Sequence, residues 1–174
     1  MDLKGLLLER KSTILKKWFE VILQTYPAET ARFLRNQKDR FSNPVGSTIF
    51  QGIESLLDEI IDDKVDSDRV SLFLNNIIKV RAIQDFTASQ AVAFIFSIKD
   101  IIRQEVESAG PSGQVLLELR GLNSKIDGIA LLSFDVYMQC REKLYEIKAN
   151  EARNMTYRLL QQAKLIIESP EKET

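Results

Sequence analysis

The chain contains no histidine. That absence excludes more chemistry than any residue present suggests. Ser-His-Asp and Cys-His catalysis both need an imidazole base. Histidine is also the usual nitrogen ligand of zinc, half of the Glu-x-x-His pair in di-iron bundles, and the proximal ligand of globin haem. A histidine phosphoryl acceptor is excluded as well. There is one cysteine, Cys140, so no disulfide can form within the chain, which fits a reducing cytosol. Glycine and proline number 7 and 4, few for the many turns of an all-β protein. Positive charge is not in excess: 24 basic and 25 acidic side chains leave a net charge of -1. Nothing stands ready to neutralise phosphates, so nucleic acid is a poor partner. No apolar run approaches the roughly 18 to 20 residues that cross a bilayer, so no membrane insertion is expected. The first twenty or so residues lack the apolar core and cleavage site of a signal peptide, and a cytoplasmic location is expected. Calcium-loop, phosphate-loop and dinucleotide-binding motifs are absent too. No metal site, no cofactor and no enzymatic activity is expected.

What is present is helical periodicity. The chain has 174 residues, 44% of them apolar and 28% charged, enough for one soluble domain with a real core. The pattern predicts an all-α bundle of about six helices over residues 1–168, with a polar tail at 169–174. The first helix is read at 3–24, carried by Leu7, Ile14, Trp18, Val21 and Ile22 and stopped by Tyr26-Pro27. A short helix follows at about 28–36. Asn43 as cap and Pro44 at the first helical position start a third, with Val45, Ile49, Ile53, Leu56, Leu57, Ile60 and Ile61 on its apolar face. Gly46 and Gly52 lie inside it, and a close helix crossing would explain them. Asp66-Ser67 opens a fourth helix at roughly 68–84.

The stretch from Arg81 to Gln104 is the one around which the rest is organised. Thr87 and Gln90 form a capping box, and Gly110-Pro111 ends the helix. Its apolar residues, Ala91 to Phe96 and then Ile98, Ile101 and Ile102, cover nearly the whole circumference. That predicts a helix contacted on several sides. From Pro111 a helical pattern barely stops. The last helix is expected to exceed about forty residues, long for a small domain. Such a helix reads as a homodimer seam and signalling rod, with Glu151 and Asn154 at its inner positions, or more plainly as a helix packed back onto its own bundle.

Two groups of residues are candidates for function. Asp39 and Asn43 precede one helix; Arg81 and Asp85 precede the central one. An inward-facing Arg81 would bind a carboxylate or hold a switchable ion pair. The plainer reading pairs Arg81 with Asp85, four residues on, and makes Asn43 a cap. Phe94 and Phe96, with Phe73, Phe86 and Phe134, would line an apolar ligand pocket, or more plainly belong to the core. Cys140 is read as a buried, inert thiol. The four tyrosines have no basic partner that sequence alone places beside them.

Several stretches resemble a known family. These are Trp18, Thr25-Tyr-Pro27, Asp39-Arg-Phe-Ser-Asn-Pro-Val-Gly46, Val80-Arg-Ala-Ile-Gln-Asp-Phe-Thr-Ala-Ser-Gln-Ala-Val-Ala-Phe94 and Asp135-Val-Tyr-Met-Gln-Cys-Arg-Glu-Lys-Leu-Tyr-Glu-Ile147. Together they look like the N-terminal sensor domain of RsbRD-type co-antagonist proteins of the stressosome, over about residues 10–165. The resemblance implies a haem-free, globin-like, dimeric bundle. It would pass a signal through a helical linker to a partner-switching or histidine kinase output module. It carries over no ligand residues. Without it, a constitutive protein scaffold that senses nothing is the alternative.

Overall fold

The structure, a computed structural model, describes residues 2–36, 43–62, 64, 66–84, 86–110 and 112–163. These residues form six helices and no strand: α1 (Leu3–Leu23), α2 (Ala28–Arg35), α3 (Pro44–Ile61), α4 (Ser67–Ile83), α5 (Ala88–Ser108) and α6 (Gly113–Gln162). The all-α expectation holds, and the last helix reaches 50 residues. The chain falls into two compact units, Met1–Cys140 and Arg141–Thr174. The first holds α1 to α5 and the opening half of α6. The described part of the second is the remainder of α6.

Local chemistry sets the helix starts. The first amides of a helix have no intrahelical acceptor, so a side-chain oxygen must supply one. Asp2 accepts from the Gly5 amide at 2.8 Å. Asn43 Oδ1 accepts from Gly46 at 2.9 Å, with Pro44 in the first turn. Asp66 Oδ1 accepts from Asp68 and Arg69 at 3.0 and 3.2 Å. Thr87 and Gln90 form the reciprocal box expected: Gln90 N donates to Thr87 Oγ1 at 3.3 Å, and Thr87 N to Gln90 Oε1 at 3.0 Å. Just past α5, Gly110 takes a left-handed φ of 67°, which a side chain would resist.

In the first unit α1 packs against α2, α3 and α5, and α4 against α3 and α5. The first half of α6 is tied on by side chains. Glu118 accepts from the Leu3 amide at 3.0 Å, and Lys125 donates to the Ile60 carbonyl at 3.0 Å. Lys99 of α5 pairs with Asp127, and the Tyr137 hydroxyl donates to the Phe86 carbonyl. Between the helices lies a core that includes Trp18, Ile22, Ile53, Leu57, Leu74, Ile98 and Ile126, all fully buried. Each such side chain contributes about 1.5–3 kcal/mol by leaving water.

The crossing inferred from glycine is present. A Cβ at Gly52 would lie 2.7 Å from Ile77 Cγ1 and 2.8 Å from its Cδ1, so where α3 crosses α4 any larger residue would force Ile77 to shift. A Cβ at Gly46 would lie 2.4 Å from the Leu34 carbonyl oxygen. The central-helix expectation needs correction. Ala93 and Phe96 of α5 are exposed, Phe96 by 46%, so α5 keeps one open face. Periodicity counts apolar residues and does not count the neighbours available to cover them.

Two buried acids stitch helices together, and each has at least one cation beside it. Glu105 of α5 accepts from Lys17 at 2.7 Å and lies 3.6 Å from Arg10, both on α1. Glu59 of α3 lies 3.1 Å from Arg69 of α4. These pairs offset the desolvation that an isolated carboxylate would suffer.

Candidate functional site

One buried charge lacks such compensation. Arg81, in the last turn of α4, is fully buried. Its Nη2 donates to Thr25 Oγ1 at 3.2 Å and to the Gln90 carbonyl at 3.1 Å. Its Nε and Nη1 are buried with no hydrogen-bond partner, and no carboxylate pairs with it among the described residues. The guanidinium is boxed in by rings instead. Phe86 lies with its centroid 4.2 Å from Cζ, and Tyr26 and Phe94 each lie at 5.6 Å. Guanidinium over an aromatic face is favourable, yet rings supply no acceptor for an in-plane N–H. Burial pulls the Arg81 pKa below its ordinary value, opposed by the neighbouring Tyr26. Burial likewise raises the Tyr26 phenol, opposed by the Arg81 charge. At neutral pH arginine stays protonated.

The corner is assembled from distant segments. Thr25 and Tyr26 come from the turn after α1, Arg81 and Gln84 from the end of α4, and Phe86, Gln90 and Phe94 from the start of α5. Tyr26 and Phe86 meet edge to face at 5.3 Å, and the Tyr26 hydroxyl donates to the exposed Gln84 Oε1 at 2.9 Å. Deeper in, Trp18 donates from Nε1 to the Phe94 carbonyl at 2.7 Å, its ring 6.1 Å from that of Phe94. On the far side, the Phe86 carbonyl takes its bond from Tyr137 of α6. The corner therefore touches the helix that leads out of the first unit.

The sequence candidates fare differently. Arg81 is inward-facing, as the sharper reading required. Asp39 and Asp85 lie outside the described residues, as does Pro111. Asn43 does not join Arg81. Its Nδ2 donates to the carbonyls of Phe33, Leu34 and Asn36 at 3.0, 3.0 and 2.9 Å, clamping the end of α2 to the start of α3. All its capacity is used there, so Asn43 is a structural latch and not part of the corner. Of the five phenylalanines, Phe86 and Phe94 flank Arg81, and the other three are not gathered with them into an interior pocket. Phe94 is buried beside Trp18, and Phe73 is half-buried under Arg69. Phe96 and Phe134 are exposed, by 46% and 43%. The right residue type at helical spacing does not place side chains from three helices together.

Sequence reasoning missed Tyr26 as a wall of the corner; it named Phe86 as a pocket candidate but did not place its ring over Arg81. It also left the tyrosines without basic neighbours, whereas Arg81 lies over Tyr26 and Arg141 donates to the Tyr145 hydroxyl at 2.8 Å. The available signal was that Thr25-Tyr-Pro27 and Val80 to Phe94 both stood among the family-like stretches. Cys140 is half-buried, and burial raises its pKa, with Lys79 opposing. Among the described residues no group of three or more Cys, Asp or Glu is placed to hold a metal ion, and no helix is long and apolar enough to cross a membrane.

α6 carries two apolar stripes in the first unit. Ile126, Ile129 and Val136 are buried against the bundle. Leu131, Phe134 and Met138 face out, exposed by 71%, 43% and 40%. In the second unit Tyr145, Met155 and Leu159 are also exposed.

Compared with known proteins, residues 12–152 match the sequence profile described as the RsbT co-antagonist protein rsbRD N-terminal domain. No curated protein and no solved structure matches the chain.

Proposed function

We propose, because this chain belongs to the RsbT co-antagonist protein RsbRD N-terminal domain family, that it is a non-enzymatic sensory module of a partner-switching system. Residues 1–168 act as one regulatory domain in the cytoplasm. The Arg81 corner is the input, α6 is the output rod, and an RsbT-type or related kinase module is the partner served. One observation carries this reading: the ring stacked on Arg81 belongs to Phe86, whose carbonyl is bonded to Tyr137 of α6. A shift in that ring has a direct path to the helix. Both sites would bias one packing equilibrium, which is the physical content of a relay.

Hydrogen exchange tests it. Arg81→Met or Tyr137→Phe is expected to change amide exchange within residues 141–162. A change confined to residues 80–94 would leave a scaffold that does not relay.

Homodimerisation is the second element. The outward stripe of Leu131, Phe134 and Met138 supports it, since exposed apolar side chains grouped on one face favour association. Sedimentation equilibrium should show a dimer that Phe134→Glu weakens. A wild-type monomer at about 100 μM, far above a typical specific dissociation constant, would end this part of the reading. A chain shortened after Ile147 that dimerises unchanged would move the seam off the distal part of α6.

A further inference from the structure

We propose that Arg81 is the recognition group of a binding site for a small organic monocarboxylate, reached from the surface by displacement of the Tyr26 and Phe86 rings. Its biological meaning rests on the sensory reading above; the binding itself does not. The fold answers its other buried charges with opposite ones, Glu105 with Lys17 and Arg10, Glu59 with Arg69. Among the described residues, only at Arg81 is a charge buried with two donor atoms left over. Nη2 is already engaged by Thr25 and Gln90, so Nε and Nη1 are the atoms a ligand would meet.

Charge selects the ligand class. One buried cation is neutralised by one negative charge. A dianion would leave a net charge among the rings of Tyr26, Phe86 and Phe94, over which Arg81 is the only cation among the described residues. Those rings favour a ligand with some carbon skeleton over a bare inorganic ion. A carboxylate accepts strongly from arginine nitrogens.

Access follows from the cover. Arg81 itself is fully buried, but Tyr26 and Phe86 are only half-buried. They are held by their mutual edge-to-face contact, by their stacking on the Arg81 guanidinium and packing against the core, and by one exposed hydrogen bond from Tyr26 to Gln84. On this proposal the two rings turn away from Arg81 to admit the ligand.

Trp18 provides the assay. It is the chain's only tryptophan, and its ring is 6.1 Å from Phe94, itself a wall of the corner. The intact chain is titrated with sodium propionate and sodium butyrate. Propionamide and sodium chloride at equal ionic strength serve as controls. A saturable fluorescence change with the acids alone is expected. Arg81→Met should weaken it about 10- to 100-fold, the value of a hydrogen bond to a charged group. Tyr26→Ala leaves Arg81 in place and should speed association several-fold in stopped flow, keeping the test open if Arg81→Met does not fold. The proposal is overturned if no carboxylate gives a saturable response. It is overturned equally if chloride or the amide acts the same, if Arg81→Met binds as tightly as wild type, or if Tyr26→Ala leaves the rate unchanged. Binding without altered exchange in residues 141–162 would sink the relay and keep the site; altered exchange in the variants without binding would do the reverse.

Discussion

Replacing Arg81 by methionine should leave the ligand-free protein about as stable as before, although the position is completely buried. The variant loses two hydrogen bonds, to Thr25 Oγ1 at 3.2 Å and the Gln90 carbonyl at 3.1 Å. Bonds from a charged donor are worth about 1.5–3 kcal/mol each, and both are at the long end. Neither acceptor is stranded. Thr25 Oγ1 still donates to the Ile22 carbonyl at 2.6 Å, and Gln90 lies in a helix whose own amides reach its carbonyl. Stacking on Phe86 at 4.2 Å adds roughly 1–2 kcal/mol to the loss. Against this, two buried donors without partners disappear, each worth about 1–3 kcal/mol, together with a charge desolvated at a cost of several kcal/mol. Methionine keeps a long, flexible, apolar chain against the same three rings. The two sides nearly cancel, so the expected change is a loss of no more than about 1 kcal/mol, or about 2–4 °C in Tm for a chain this size. Urea unfolding followed by circular dichroism measures it. A loss of about 3 kcal/mol or more, the usual result when a satisfied buried ion pair is broken, would mean Arg81 is fully compensated and refute the reading of the corner.

Asn43→Ala removes a helix cap and three carbonyl contacts at a buried position, and should cost about 2–4 kcal/mol in the same assay. A loss under about 1 kcal/mol would deny the latch. Gly52→Ala should destabilise by about 1–2 kcal/mol, overlap with Ile77 outweighing the gain in helix propensity. In Gly52→Ala with Ile77→Ala, the new methyl occupies part of the space vacated, so the two losses should be less than additive; strict additivity would show that the helices simply move apart. Cys140 is an acid whose pKa burial raises, so the thiol form persists to higher pH than in a free cysteine. Its reaction with a disulfide reagent at neutral pH should be slower than that of a short cysteine peptide, with the rate rising only at more alkaline pH; a faster reaction would contradict the burial argument.

Much of the frame is legible in the chain because it is written within a turn or two of helix. Asn43-Pro44, Asp66 and the Thr87–Gln90 box each act over three residues, and each starts a helix where expected. Gly52 announced a crossing because glycine inside an apolar helix needs a steric cause. The failures share one form. Phe96 and Phe134 have the composition of core and face solvent, since nothing local says which apolar face receives a neighbour. Ile129 and Leu131, two positions apart on α6, differ in the same way: one packs inward, the other is exposed by 71%.

The amino-acid order by itself determined the helices, their limits, the lack of any imidazole chemistry and the family-like stretches, because these depend on residue type and near neighbours. It marked Arg81 as worth attention and could go no further. Only the tertiary structure decided that Arg81 lies under Tyr26 and Phe86 with two donors unmet, that Asn43 serves elsewhere, and that Phe86 reaches Tyr137. Thr25 and Arg81 stand 56 residues apart in the chain. Contact between such residues is fixed by how whole helices pack, and no local pattern encodes that packing.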